Sequence, residues 1–182
     1  EWDRAIEFYE QALQTMERMG DIHGMAVTFG SLGVVYQRKG EWDWAIEFYQ
    51  KSLETKERVG DIHGMAQTYN NLGNVYQRKG QWDWAIEFYQ KSLETKERVG
   101  DIHGMAQTYN NLGLVYADKG EWDRAIEFYE QALQTMERVG DIHGMAATYG
   151  NLGSYYQAQG ETEQAAQYVA RAYLIFAQLG AA

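Results

Sequence analysis

An asparagine recurs at one position of the sequence every forty residues, at Asn71, Asn111 and Asn151, with Ser31 at the matching place before them. A side-chain amide offers both a hydrogen-bond donor and an acceptor. A row of amides at a fixed spacing can therefore hold the backbone of an extended peptide, whatever the peptide's side chains are. Further residues of the same stripe could complete such a binding surface, namely Asn70, Asn74, Gln77, Asn110 and Leu114.

Two arginines, Arg38 and Arg78, lie at the end of the same stripe. A guanidinium group recognises a carboxylate through forked hydrogen bonds, so these residues predict an acidic group in the ligand. The chain as a whole is acidic, with a formal net charge of −10. That charge argues against the nucleic-acid backbone and against anionic membranes as partners. We therefore expect a protein or peptide partner.

Other kinds of chemistry have little support in the sequence. The recurring histidines (His23, His63, His103 and His143) have no second ligand three or four residues away, and there is no cysteine. Structural and catalytic metal sites need such clusters, so we expect no metal. Phosphate-binding glycine loops and serine nucleophile motifs are also missing, so we expect no cofactor and no catalytic activity. Without an apolar run long enough for a bilayer, we expect a cytoplasmic protein.

The positions of these side chains depend on a forty-residue repeat. Residues 41–80 and 81–120 differ at only four positions, and a fixed period of this size indicates stacked supersecondary units. In residues 61–100, the spacing of Met65, Tyr69, Leu72 and Tyr76 predicts a helix. We expect an aspartate cap before this helix, a glycine after it, and a second helix from about 82 to 99. Short turns then predict antiparallel pairs.

We therefore expect an all-α chain of about nine helices in a single array over residues 1–182. Residues 1–20 would form an unpaired second helix, followed by full repeats at 21–60, 61–100, 101–140 and 141–180. The chain begins without a methionine. Its last helix carries Val169, Tyr173 and Phe176 where a capping repeat should be polar. These features predict either a fragment of a longer protein or copies that stack end to end.

The side chains that alternate in size within each repeat resemble the tetratricopeptide repeat (TPR) family, in a long form similar to kinesin light chains, Leu-Gly-Asn spindle adaptors and bacterial signalling arrays. The resemblance is carried by Tyr69, Leu72, Gly73, Tyr76, Gly80, Ala85, Tyr89 and Ser92. The period exceeds the usual one by six residues, and the usual closing proline is missing. The resemblance implies a right-handed α-solenoid whose first helices line a concave groove. It also implies that the recurring asparagines hold a peptide backbone.

Three of the four differences between residues 41–80 and 81–120 lie on this groove stripe. They are Asn74/Leu114, Gln77/Ala117 and Arg78/Asp118. This is the direction expected if selection for ligand binding changed the groove residues while the rest of the repeat stayed constant. We therefore expect a non-enzymatic scaffold that binds a peptide or protein segment. A self-assembling array and a regulatory domain of a larger signalling protein remain alternatives, and near-identical repeats also permit an engineered origin.

Two tryptophans, Trp44 and Trp84, stand where other repeats carry Arg4 and Arg124, so we expect their side chains to be exposed. Each precedes a phenylalanine by four residues, a favourable pairing on a helix. They could pack along the second helices or form an aromatic patch for a partner. The tryptophans that begin the second helices are expected to lie in the core: Trp2, Trp42, Trp82 and Trp122.

Overall fold

The computed structural model of the chain describes residues 1–180, and side chains as far as residue 177. Over that range the backbone forms nine α-helices joined by short turns, which confirms the predicted all-α helical repeat. The helices are α1 Trp2–Met19, α2 Ile22–Lys39, α3 Trp42–Val59, α4 Ile62–Arg78, α5 Trp82–Val99, α6 Ile102–Asp118, α7 Trp122–Val139, α8 Ile142–Ala158 and α9 Thr162–Gly180. Residues 181 and 182 of the predicted array lie outside this range.

Aspartates cap the even-numbered helices, which are the first helices of their pairs. Asp61 Oδ1 accepts a hydrogen bond from the backbone N–H of Gly64 at 2.9 Å, which occupies one of the free donors of the first turn. The same bond recurs in α2, α6 and α8. A Cβ atom on Gly64 would collide with the Asp61 carboxylate. The glycine at this place therefore allows the predicted cap to close.

Glycines end the helices where the sequence predicts. Gly60 and Gly80 adopt φ angles of 72° and 70°. This left-handed conformation costs glycine nothing but strains residues with a Cβ atom, and it lets the chain turn immediately after a helix. The short turns that result place α3, α4 and α5 side by side.

Helices α2 and α3 run antiparallel, since residues near the end of one helix contact residues near the start of the other. The Tyr36 and Trp44 rings stack at 6.0 Å, while Ser52 Oγ donates to the carbonyl of Ala26 at 2.8 Å. Helices α4 and α5 repeat this arrangement. The alternation of small and large residues also holds, since a Cβ atom on Gly73 would lie 2.6 Å from the ring of buried Tyr89.

The chain forms two compact units, residues 1–99 with α1–α5 and the residues from Gly100 onward with α6–α9. In the first unit the core includes Ile6, Leu32, Val35 and Phe48, and a second cluster of Ala45, Tyr49, Leu72 and Val75. In the second unit Ala106, Ala132 and Met136 form a core cluster. The single array over residues 1–182 stays a prediction.

The tryptophans that begin the second helices differ in burial. Trp42 packs against the cluster around Leu72, and Trp122 stacks on Tyr155 with ring centroids 5.0 Å apart. Trp2 and Trp82 are 42% and 37% exposed, so the expectation of a core position is wrong for these two. An indole at the first residue of a helix lies at the end of the helix pair, where its neighbours leave one side open.

The last helix, α9, exposes apolar side chains, as the sequence predicts. Val169, Tyr173 and Phe176 are 51%, 71% and 52% exposed. Across the described part of the chain, no helix combines the length and the apolar character that a bilayer-crossing segment needs.

Candidate functional site

The first helices α2 and α4 enclose a cavity of about 270 Å³, which we call the α2–α4 cavity. Its lining includes both Ser31 and Asn71, so two members of the predicted stripe lie in one cleft. The α2 wall is formed by Val27, Gly30, Ser31 and Val34; α4 and its cap contribute Asp61, Gly64, Gln67, Thr68 and Asn71, and α3 contributes Lys56.

The Asn71 amide is half-buried at the wall of this cavity. Ser31 donates its hydroxyl proton to the carbonyl of Val27 at 3.1 Å, as serines on helices often do. Among the described residues, no side-chain hydrogen bond occupies the Asn71 amide. Its N–H groups and its carbonyl oxygen are therefore open to a ligand.

A lysine from the second helix reaches the same cavity. Lys56 is only 7% exposed, and its Nζ atom donates to Thr68 Oγ1 at 2.8 Å and to the carbonyl of Gly64 at 3.2 Å. Burial lowers the pKa of this amine below its ordinary value of 10.5, while nearby Asp61 opposes that shift. The cavity thus contains a desolvated cation.

Two predicted groove residues, Asn74 and Gln77, bond to a buried tyrosine of the next helix. The Tyr89 hydroxyl lies 2.6 Å from Asn74 Oδ1 and 3.1 Å from Gln77 Oε1. Tyr89 is fully buried, so its hydroxyl needs an acceptor inside the protein. These two side chains therefore have an internal structural role, which periodicity alone did not reveal.

This role changes the interpretation of the differing positions. Leu114 and Ala117 replace both amide acceptors in the next repeat, where the matching tyrosine is Tyr129. Burial and, secondarily, Asp118 raise the pKa of Tyr129, so the third differing residue also acts on this phenol. Two of the three differences therefore change the acceptors of the buried Tyr89 hydroxyl, and the third adds a carboxylate that acts on the matching phenol of Tyr129.

The predicted acid-selecting residues, Arg38 and Arg78, are exposed near the carboxyl ends of α2 and α4. A cation there is also favoured by the helix dipole, whatever else it binds. Among the described residues neither guanidinium forms an ion pair, so both remain available to a ligand.

In the second unit the predicted amides bond to one another. Asn110 Oδ1 accepts from Thr148 Oγ1 at 3.0 Å and from Asn151 Nδ2 at 3.3 Å, which links α6 to α8. Asn111 and Leu114 of α6 are also half-buried. Asn110 stands where α2 has Gly30, so its side chain occupies a place that is open in the α2–α4 cavity.

Trp44 and Trp84 are exposed, as predicted, but each also covers an aromatic cluster. Trp44 is 51% exposed and stacks on Tyr36, whose ring lies parallel to Phe48 at 5.2 Å. Where the second unit has arginine, Arg124 lies over the Tyr116 ring at 5.4 Å. Tryptophan and arginine thus perform the same covering role, since both stack on aromatic faces. The predicted aromatic patch for a partner remains a prediction.

The four recurring histidines lie in the first turns of α2, α4, α6 and α8, and all are exposed. His103 Nε2 lies 3.0 Å from the side-chain nitrogen of Gln107. Within the described residues, no group of three or more acidic, histidine or cysteine side chains is placed to hold a metal ion.

The sequence profile that describes the tetratricopeptide repeat matches residues 1–58, 24–98, 64–138 and 104–178. The chain belongs to the tetratricopeptide repeat family. No curated protein sequence matches this TPR chain significantly.

Solved structures show the same fold. BtubC (BKLC) from P. vanneervenii is 28% identical with a TM-score of 0.88, over 98% of this chain and 74% of that one. A Podosopora anserina putative kinesin light chain with nearly identical TPR-like repeats is 18% identical, with a TM-score of 0.78 over 98% and 88% of the two chains. Aspartyl phosphate phosphatase F from Bacillus subtilis is 17% identical with a TM-score of 0.88. That match covers 97% of this chain and 46% of the phosphatase chain. Such a TPR scaffold is typical of protein–protein interaction.

Sequence reasoning missed Lys56. A lysine beside Glu54, Glu57 and Arg58 looks like part of a solvated, charge-paired face. The available signal was its alternation with methionine, since the matching residues are Met16 and Met136. A position that accepts both methionine and lysine in one TPR chain is a buried position with room for a long unbranched side chain.

Proposed function

We propose that this chain is a non-enzymatic protein-interaction module whose first helices bind a peptide or protein segment. The observation that carries the proposal is the uncommitted Asn71 amide in the wall of the α2–α4 cavity. An exposed or half-buried amide with both donor and acceptor open can pair with the N–H and C=O groups of a peptide bond. The TPR scaffold supports the proposal, because repeat proteins present extended binding surfaces.

The asparagines of the second unit would act in the same way. The Asn151 side chain donates one N–H to Asn110 Oδ1, and its carbonyl oxygen would accept a hydrogen bond from a peptide N–H. Asn111, at the matching position of α6, would do the same. Backbone contacts of this kind give affinity without sequence preference, so specificity has to come from neighbouring side chains.

Arg38 and Arg78 would supply part of that specificity by pairing with acidic groups of the ligand. Both are exposed, and exposed ion pairs contribute little free energy because water and salt screen them. We therefore assign them a role in the rate and selectivity of association, and expect binding to weaken as salt is added.

The test is a selection from a random peptide library with the wild-type chain and with an Asn71→Ala/Asn111→Ala variant. The wild type is expected to enrich a motif, and the variant to lose it. A matched control, Gln50→Ala/Gln90→Ala, removes two exposed amides from the second helices α3 and α5 and should bind as the wild type does. Equal enrichment by wild type and groove variant would contradict the proposal, as would a folded wild type that enriches nothing.

Self-assembly through α9 is the second candidate function, favoured by the exposed Val169, Tyr173 and Phe176. Apolar side chains grouped on one helix face favour association with another apolar surface. Light scattering over a roughly hundredfold range of concentration tests it by mass action. Association that disappears in a Tyr173→Glu/Phe176→Glu variant would support this function, and a constant monomer mass would contradict it.

A further inference from the structure

A lysine at the end of α2 is surrounded by groups that favour an ammonium ion. Lys39 Nζ donates a hydrogen bond to Asp3 Oδ1 at 2.8 Å and lies 2.9 Å from Glu41 Oε1. It also lies over the Tyr36 ring, 5.9 Å from the centroid. The hydrogen bonds to Asp3 and Glu41 raise the pKa of Lys39 above its ordinary value. Two carboxylates and a ring thus form a site for a cation that the chain itself supplies.

The same lysine recurs after α4 and α6, but not after α8. Lys79 forms an ion pair with Asp43, as Lys39 does with Asp3 one repeat earlier. Lys119 lies 2.9 Å from Glu121. At the matching position after α8 the chain has Gln159, which carries no charge.

The groups that would surround the missing lysine are retained. Asp123, Glu161 and Tyr156 stand three repeats after the groups that surround Lys39. The backbone N–H of Glu161 donates to the carbonyl of Tyr156 at 2.9 Å, so these two residues lie next to each other. In the part of the chain that the structure describes, the Asp123 and Glu161 carboxylates are exposed and neither forms an ion pair. The end of α8 therefore keeps the acceptors of a cation that the sequence does not supply there.

A cavity of about 510 Å³ opens at this place, and we call it the α7–α8 corner. Asp123 and Gln159 line it, together with the Trp122 and Tyr155 rings, which stack 5.0 Å apart. The other first helices have valine where α8 has Tyr155, so this aromatic wall is specific to the last helix pair. Aromatic faces attract an ammonium group, and the Gln159 carbonyl oxygen is a further acceptor.

Arg124 also lines the corner, but its charge is engaged elsewhere. Its guanidinium lies 3.1 Å from Glu121 Oε2 and 5.4 Å over the Tyr116 ring. The first helices of the chain show that such an arginine tolerates an ammonium group nearby, because Arg4 takes the matching position in α1, where Lys39 is bound.

We propose that the α7–α8 corner is a docking site for a lysine side chain of a protein partner. The lysine ammonium would donate hydrogen bonds to Asp123 and Gln159 and lie against the Trp122 and Tyr155 rings. It would take the place that the chain's own lysines take after α2, α4 and α6. The net charge of −10 attracts such a cation at long range. This site goes beyond the proposed function, because none of its residues belongs to the predicted groove stripe.

The test uses a lysine probe and ¹H–¹⁵N correlation spectra of the full chain. The probe is N-acetyl-lysine methylamide, and N-acetyl-norleucine methylamide has the same carbon chain without the ammonium group. N-acetyl-arginine methylamide tests whether the site prefers a guanidinium. We expect saturable shifts from the lysine probe at the Trp122 indole N–H and the Gln159 side-chain amide. Binding should be weak and should weaken further with salt, because the carboxylate is exposed.

Three variants locate the binding. Gln159→Lys introduces the residue that the other pairs carry, so it should fold and fill the corner with its own ammonium group. It should weaken binding of the lysine probe by about tenfold or more, and Asp123→Asn by about threefold or more. Glu137→Gln is the matched control, because it removes an exposed carboxylate from the opposite end of α7. It should bind the probe within about twofold of the wild type.

Several results would overturn the proposal. They are the absence of saturable shifts in the wild type, binding by Gln159→Lys within about twofold of the wild type, equal binding of the norleucine probe, and tighter binding of the arginine probe. The Asn71→Ala/Asn111→Ala variant should bind the lysine probe as the wild type does. Failure of the groove proposal and failure of this inference are therefore distinguishable.

Discussion

Tyr89 on α5 reaches across to α4 and bonds to Asn74, with the phenolic oxygen 2.6 Å from Oδ1. Gln77 provides a second acceptor at 3.1 Å. A residue of the predicted groove stripe therefore also stabilises the helix pair. Substitutions on this stripe need a stability measurement beside any binding measurement.

Replacing both acceptors with the residues of the next repeat, Asn74→Leu/Gln77→Ala, should lower the free energy of unfolding by about 1–3 kcal/mol, because the buried Tyr89 hydroxyl loses these two acceptors. Urea denaturation measures the loss. Adding Arg78→Asp should recover part of it, since Asp118 accompanies the same pair of residues beside Tyr129. Adding Tyr89→Phe instead should also recover part, and a loss that persists in both backgrounds would contradict this account.

Gly73→Ala should destabilise the chain by about 1–3 kcal/mol, because the new methyl group would lie 2.6 Å from ring carbons of Tyr89. Gly150→Ala is the matched control. It also replaces a glycine within a first helix, but no atom lies within 4 Å of the added Cβ atom. Helix propensity alone should then stabilise this variant by up to about 1 kcal/mol. Thermal unfolding measures the stability of both variants. Equal changes in stability would show that the contact with Tyr89 does not determine the effect of Gly73→Ala.

Lys56→Met should raise the free energy of unfolding by about 1 kcal/mol at neutral pH, because it removes a buried charge at a position where the chain elsewhere uses methionine. Because burial lowers the pKa of Lys56 in the folded state, the unfolded chain binds more protons between that lowered value and 10.5. The stability of the wild type should therefore rise relative to the variant as pH increases through this window. Denaturation at several pH values measures the difference, and a less stable variant would contradict the prediction.

Alkaline pH should destabilise the fold through its buried phenols. Burial raises the pKa of Tyr49, which is fully buried and donates to Gln37 Oε1 at 2.7 Å. Above pH 10 the unfolded chain releases this proton while the folded chain keeps it, so stability should fall by about 1.4 kcal/mol per pH unit for this residue. Tyr49→Phe should remove that part of the slope in chemical denaturation. An unchanged slope would mean that the phenol ionises freely in the folded state.

The local features of the fold could be predicted because short-range physics decides them. The Asp61 cap, the left-handed glycines and the approach of Tyr89 to Gly73 all follow from residue type and helical spacing. The exposure of Trp82 could not be predicted, because it depends on which neighbour covers the end of a helix pair.

The candidate site was predicted only in part for the same reason. Spacing placed Ser31 and Asn71 on one stripe, and both line the α2–α4 cavity. Spacing gave no sign that Lys56 reaches that cavity, because its burial depends on contacts with Gly64 and Thr68 of the following helix. Nor did it indicate the bond from Tyr89 to Asn74, which depends on how two helices cross.

Gly30 and Asn110 occupy matching positions in the two units, and they change the space between the helices without changing the helices themselves. The backbone positions match, the helices on either side are alike, and one side chain decides whether a repeat offers an opening or fills it with its own amide. Under the proposed function, the number of ligand groups that the chain engages would change one repeat at a time. The valency of the chain would then depend on single residues, and it could change in evolution while the helices that form the scaffold stay the same.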